Sequence, residues 1–223
     1  SATSGLMAAV GAAGIGPGDE VITTPWTMAA TAIAVVVYNA IPVFCDIETD
    51  TFCMSPVSLE SKITPRTKAI IPVHIYGHPA EMDEIMAIAK RHSLVVIEDA
   101  AQSPGIKYKG KITGTIGDMG VSSLNCHKII QTGEGGIVIT NNKELARRLQ
   151  LIRNHAEAVI ATGMEVKSLV NMIGWNYRMN EIEAAIGREQ LKKLKSLIER
   201  RKELVDYLTE KLLKYDGLLT PVI

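Results

Sequence analysis

Two rhythms of apolar and polar positions run along this chain. Over most of its length, short apolar runs alternate with stretches whose apolar residues recur at three and four. The runs at 21–23, 42–46, 68–73, 94–97 and 137–140 read as strands: each is short and mostly apolar. The stretches at 29–38, 55–62, 81–92 and 143–153 read as helices. Pro56 falls in the first turn of its segment, where a missing N–H breaks no helical bond. A further helix opens beside Ser1 and ends before Gly14. Strands that alternate with helices of this length build a mostly parallel sheet covered on both faces. The run at 94–97, Leu-Val-Val-Ile, contains no polar position and leads straight into Glu98 and Asp99.

The second rhythm fills residues 181–214. Ile182, Ile186, Leu191, Leu194, Leu197, Ile198, Leu204, Val205, Leu208 and Leu212 recur at helical spacing between charged residues. One or two long amphipathic helices are expected there, packed on the domain or bridging to another. The expected fold class is α/β: a mostly parallel, mixed sheet sandwiched by helices over 1–190, then long helices over 191–223 leading toward a smaller domain. Ser1 stands at a loop-to-helix junction without an initiator Met, and the chain stops soon after Pro221. Both are expected to be borders of a trimmed piece, with an N-terminal segment and most of a small C-terminal domain outside it.

Composition narrows the function classes. The 223 residues are 47% apolar and 22% charged, ordinary values for a globular protein. Lys+Arg is 24 and Asp+Glu is 24, so no charge excess draws the chain to nucleic acid or an acidic membrane. Aromatics at 4% argue against a surface of stacked rings. The longest apolar stretch, 28–37, is interrupted by Thr31 and is too short to span a bilayer. Three cysteines (Cys45, Cys53 and Cys126) form no CxxC, which points to a reducing cytoplasm.

In a parallel sheet, ligand chemistry gathers at the carboxyl ends of the strands. The residues that follow each run are therefore the ones to weigh: 24–28, Asp46, 74–77, 99–102 and 122–128. The glycines at 14–18 follow a helix and precede a strand, the reverse of a dinucleotide fingerprint, and read as a helix cap and turn. The run 133–136, Gly-Glu-Gly-Gly, lacks phosphate-loop spacing and reads as a turn that lets backbone pass close to something. His74 and His78 have a metal-like spacing, but Gly77 and Pro79 break any helix there and no cysteine stands nearby. A satisfied polar loop is the expectation. Asp99 ends the most apolar strand. A carboxylate buried there needs a cation or a donor, so it either caps the following turn or holds a proton on a heterocycle nitrogen. Lys128 lies in an otherwise uncharged segment between Ser122 and the glycine turn. It is either a solvated charge or an amine nucleophile with a lowered pKa. An imine-forming Lys together with an Asp facing a pyridinium nitrogen is the pairing that pyridoxal phosphate requires.

These residues carry a resemblance. Segments 1–6, 16–22, 63–74, 96–102, 133–136 and 176–181 follow, in order and over nearly the whole chain, the pattern of the DegT/DnrJ/EryC1/StrS family. The family consists of pyridoxal-phosphate-dependent sugar aminotransferases of fold type I, in the aspartate aminotransferase superfamily. The resemblance implies that Lys128 holds the cofactor covalently and then moves the proton, and that Asp99 pairs with the ring nitrogen. Gln102 lies against the ring or its hydroxyl. Ser123, with the backbone amides and hydroxyl of Ala2 and Thr3, binds the phosphate. Asn176 reaches the phosphate of the neighbouring subunit, so a homodimer with a shared site is implied. The family's aromatic ring platform falls on Met28, leaving Trp26 as the other candidate. Where Phe is common, Leu124 stands. Some relatives are dehydratases with His for the catalytic Lys; His127 is adjacent, but counting from Ser123 and from Glu134 places Lys128 there.

The implied activity is transfer of an amino group from L-glutamate to a keto sugar carried on a nucleotide, with pyridoxal 5′-phosphate as cofactor and no metal. Alternatives are a sugar dehydratase or a cyclitol aminotransferase on the same scaffold, or a non-catalytic regulatory relative.

Overall fold

The computed structural model describes residues 1–157 and 172–221. Six strands form one sheet: β1 (Glu20–Thr23), β2 (Ile41–Phe44), β3 (Thr67–Ile70), β4 (Val95–Asp99), β7 (Met119–Ser123) and β8 (Gly136–Ile139). Their spatial order is β2-β1-β3-β4-β7-β8. All neighbours are parallel except β7 and β8. A small hairpin, β5 (Lys107–Tyr108) with β6 (Lys111–Ile112), stands apart.

Helices cover both faces. On one, α1 (Ala2–Ala12), α2 (Ala30–Val36) and α5 (Lys143–Arg153) bury Leu6, Val10, Val35 and Ile152 against Ile97 and Val121. On the other, α3 (Pro56–Ser61) and α4 (Met82–His92) bury Leu59, Met82 and Ile85 against Ile22, Ile70 and Val96. The strand period of two makes this division: along β4, Val96 and Ile97 enter different cores. Glu98 and Asp99 inherit the same alternation.

The helix ends follow local chemistry. Ser1 caps α1, Ser55 caps α3 with Pro56 next to it, and Asn142 caps α5. Asn180 and Glu183 close a capping box at the start of α6 (Glu181–Leu191), which breaks at Lys192 before α7 (Leu194–Leu212). The segment 181–214 is thus two helices. Among the described residues, no helix is long and apolar enough to cross a membrane.

Three features depart from the sequence pattern. β7 reads Met-Gly-Val-Ser-Ser and carries no apolar run, yet it pairs with β4 on one side and β8 on the other. Its Gly120 is required, since a Cβ there would lie 1.9 Å from the Gly114 carbonyl oxygen. The β5–β6 hairpin escapes periodicity because its strands are two residues long. α2 is shorter than 29–38 and leaves Ile33 and Val36 exposed, so it is a half-buried helix rather than a buried one.

Candidate active site

Asp99 closes β4 on the face covered by α2 and is 5% exposed. Its Oδ2 accepts the Thr31 hydroxyl at 2.9 Å and its Oδ1 accepts the Ala101 N–H at 3.1 Å. Its backbone N–H donates to Pro72 O and its carbonyl accepts the His74 N–H. Both donors to the carboxylate, one hydroxyl and one backbone N–H, are neutral. Among the described residues, no Lys or Arg forms an ion pair with Asp99. Burial pushes its carboxyl above the ordinary range, against the hydrogen bonds from Thr31 and Ala101 and the charge of Lys128. A buried carboxylate of this kind fits a protonated heterocycle nitrogen, which would supply the missing cation. It also caps the turn at Ala101, so one carboxylate geometry is compatible with both readings of Asp99.

Lys128 is half-buried in the loop that follows β7, close enough for its charge to act on Asp99. The loop is closed at its base, where Leu124 N–H donates to Gly135 O and Thr132 N–H donates to Leu124 O. Asn125 Nδ2 donates to Glu134 Oε1 at 2.6 Å, and Lys128 N–H donates to Asn125 O. The glycine turn supplies the close approach its composition suggested. A Cβ on Gly136 would lie 2.4 Å from Ser1 O and 2.8 Å from Ala2 N.

That approach brings the candidate phosphate ligands together. Ser123 pairs with Gly136, and Gly136 abuts the start of α1. The buried Ser123 hydroxyl accepts the Asn125 N–H at 3.3 Å. Ser1 Oγ accepts the Ser4 N–H, whereas among the described residues the N–H groups of Ala2 and Thr3 have no protein acceptor. A helix N-terminus with unused N–H groups beside a hydroxyl suits an anion.

The remaining candidates stand at the rim. Gln102 Oε1 accepts the Tyr76 N–H at 2.8 Å. Trp26 packs on Phe52 with ring centroids 6.2 Å apart, while Met28 is 71% exposed. Met28 O accepts the Thr31 N–H, which ties the start of α2 to the residue holding Asp99. Asn176 is exposed and, with Ser1, Gly136 and Arg178, lines a groove of about 950 Å³ along the α1–β8 flank.

Two features of the site went unread in the sequence. Thr31 carries the only hydroxyl within the apolar stretch 28–37, a signal that marked it as a buried donor in search of an acceptor. His74 lies in the core rather than in a polar loop. Its Nε2 meets Glu98 Oε2 at 2.9 Å and its Nδ1 accepts the Ala80 N–H at 3.1 Å. Among the described residues, no group of His, Cys, Asp and Glu side chains could hold a metal ion.

Comparison with known proteins bears on the chain as a whole. Residues 1–222 match the model of the DegT/DnrJ/EryC1/StrS aminotransferase family. The chain is 42% identical over 220 residues to GDP-perosamine synthase of Caulobacter vibrioides, covering 98% of this chain and 57% of that protein. It is 39% identical over 216 residues to L-glutamine:2-deoxy-scyllo-inosose aminotransferase of Streptoalloteichus tenebrarius, covering 93% of this chain and 51% of that protein. The structure of NtdA from Bacillus subtilis with bound cofactor PMP superposes with a TM-score of 0.78 at 38% identity, covering 87% of this chain and 43% of that one. The chain therefore spans about half the length of the curated relatives it matches.

Proposed function

This chain belongs to the DegT/DnrJ/EryC1/StrS aminotransferase family, and from that membership we propose that it transfers an amino group from L-glutamate to a keto sugar carried on a nucleotide. Pyridoxal 5′-phosphate is the cofactor of the family. When bound, it supplies an electrophilic carbonyl and a protonated ring that accepts carbanion charge. The observation that carries the reading is the buried Asp99, held among the described residues by neutral donors and within the field of Lys128.

Each residue then has a role. Asp99 holds a proton at the ring nitrogen. Lys128 holds the cofactor covalently through Nζ and, once released, moves the proton at the donor's α-carbon. Ser123 and the amides of Ala2 and Thr3 bind the phosphate. Gln102 lies against the ring, with its carbonyl oxygen fixed by Tyr76. Trp26 is engaged by Phe52, which leaves the exposed Met28, one turn before Thr31, to pack on the ring. Asn176 reaches the phosphate of a second subunit in a homodimer. His127 is exposed whereas Lys128 is half-buried, which favours amino transfer over dehydration.

Similarity to a nucleotide-sugar enzyme and to a cyclitol aminotransferase keeps both substrate classes in the test. Nucleotide-linked keto sugars and 2-deoxy-scyllo-inosose are each incubated with glutamate, and 2-oxoglutarate is measured. Release with a nucleotide-linked sugar alone is expected. Release with the cyclitol alone would replace the substrate. Borohydride reduction and peptide mapping should place the pyridoxyl group on Lys128, and Lys128→Ala should abolish turnover. Label on Lys107, Lys109 or Lys111 would overturn the site.

A further inference from the structure

Glu98 and Asp99 are consecutive carboxylates on opposite faces of β4. Asp99 faces the proposed site; Glu98, fully buried, faces the core beneath α4. Glu98 Oε2 accepts the Gly114 N–H at 2.7 Å, and Oε1 accepts the Ile116 and Gly117 N–H groups, each at 2.6 Å. His74 Nε2 approaches Oε2 at 2.9 Å. Because Ala80 N–H donates to Nδ1, the His74 proton sits on Nε2 and is donated to Glu98. Burial pushes the Glu98 carboxyl up, but the bonds from His74, Gly117 and Gly114 outweigh it and hold the group below its usual value.

This pair fixes three segments at once. The first is the Gly114–Gly117 turn that feeds β7, and with it Ser123 and the Lys128 loop. The second is the backbone around His74, whose N–H donates to Asp99 O, while Pro72 O takes the Asp99 N–H. The third is Tyr76, two residues on, whose N–H donates to Gln102 Oε1. Tyr76 is held in the left-handed region at φ 55°, a conformation that a non-glycine residue adopts when its surroundings impose it.

We infer that the buried His74–Glu98 pair is a positioning device that sets Asp99 and Gln102 at the geometry the cofactor ring requires. The inference rests on the roles proposed above for Asp99 and Gln102. Neither His74 nor Glu98 touches the ring; both act through backbone.

Two conservative variants separate the contacts of His74. His74→Asn keeps an acceptor near the Nδ1 position for Ala80 and loses the donor to Glu98. His74→Gln keeps a donor near the Nε2 position and loses the acceptor. Each is made in the full chain. The readouts are far-UV circular dichroism, the dissociation constant for pyridoxal phosphate, and the visible circular dichroism of the bound cofactor. His74→Asn should weaken cofactor binding about tenfold and flatten the visible signal, the usual scale for losing a partner one layer behind a bound group. His74→Gln should stay within about threefold of wild type, since it retains the charge-assisted bond. A folded His74→Asn with wild-type affinity and visible signal would overturn the proposal. So would a His74→Asn that fails to fold beside a His74→Gln that folds and binds, since the pair would then be a core anchor only. Asp99→Asn is the control: if it also keeps the wild-type signal, the reading of Asp99 itself fails. If it loses the signal while His74→Asn keeps it, only the positioning role fails.

Discussion

At the scale of single residues, the role proposed for Asp99 sets function against stability. Its folded pKa is raised, chiefly by burial, against hydrogen bonds from Thr31 and Ala101. Just above the ordinary carboxylate range the native state therefore binds more protons than the unfolded chain, and cofactor-free stability falls as pH rises through that window. Asp99→Asn removes the charge, and the Thr31 hydroxyl can turn to accept from the new amide. The cofactor-free variant should melt at a higher temperature than wild type at neutral pH. The gain should vanish at acid pH, where wild-type Asp99 is protonated. The same variant should lose cofactor affinity and turnover. Thermal melts of both proteins at the two pH values check this, and a variant less stable than wild type at neutral pH would contradict it. Asp99 was legible in the sequence because it ends an all-apolar run. Thr31, its donor, was not, because it lies 68 positions away and on a different element.

At the scale of elements, the proposed phosphate end depends on how close α1 comes to the β7–β8 edge. Gly136 permits that approach. Gly136→Ala would place a methyl 2.4 Å from Ser1 O and 2.8 Å from Ala2 N, both backbone atoms with no rotamer to yield. Overpacking of this kind costs about 1–3 kcal/mol, and here it should appear as displacement of α1 from Ser123. Cofactor affinity should fall at least about tenfold, the equivalent of about 1.4 kcal/mol, with far-UV circular dichroism retained. Equilibrium titration with pyridoxal phosphate reads the outcome, and unchanged affinity would remove the α1 terminus from the site. The glycine run announced a close approach; its partner, the first turn of a helix more than a hundred positions earlier, is set by the register of Ser123 with Gly136.

At the scale of the molecule, the proposed homodimer has a functional signature. Asn176→Ala should weaken cofactor retention without unfolding, since one hydrogen bond to a charged group is worth about 1.5–3 kcal/mol. Mixed with inactive Lys128→Ala subunits, it forms heterodimers in which one site carries both defects and the other carries neither. Activity should rise on mixing toward a fraction of wild type. Subunit exchange without recovery would show that the site is not shared. The exposed apolar positions along α6 and α7, Ile182, Leu191, Leu204 and Leu208 among them, are a surface on which such an assembly or a further domain could rest.

The sequence by itself determined the class of fold, because strand and helix periodicities are local and the runs at 21–23, 68–73 and 94–97 show them plainly. It also marked the residues that end those runs, Asp99 above all, because a charged residue after an apolar strand stands where a parallel sheet opens to ligands. Helix starts at Ser55, Asn142 and Asn180 were likewise local matters of capping. Only the tertiary structure decided the rest. β7 is a strand because β4 and β8 flank it, not because its own residues favour one. His74 is a core residue because Glu98 and Ala80 meet it from two other segments. Asp99 is a buried carboxylate with no ion-pair partner among the described residues because α2 and β3 close around it. Such properties belong to contacts between distant segments, and a pattern read along one chain carries no information about which segments will meet.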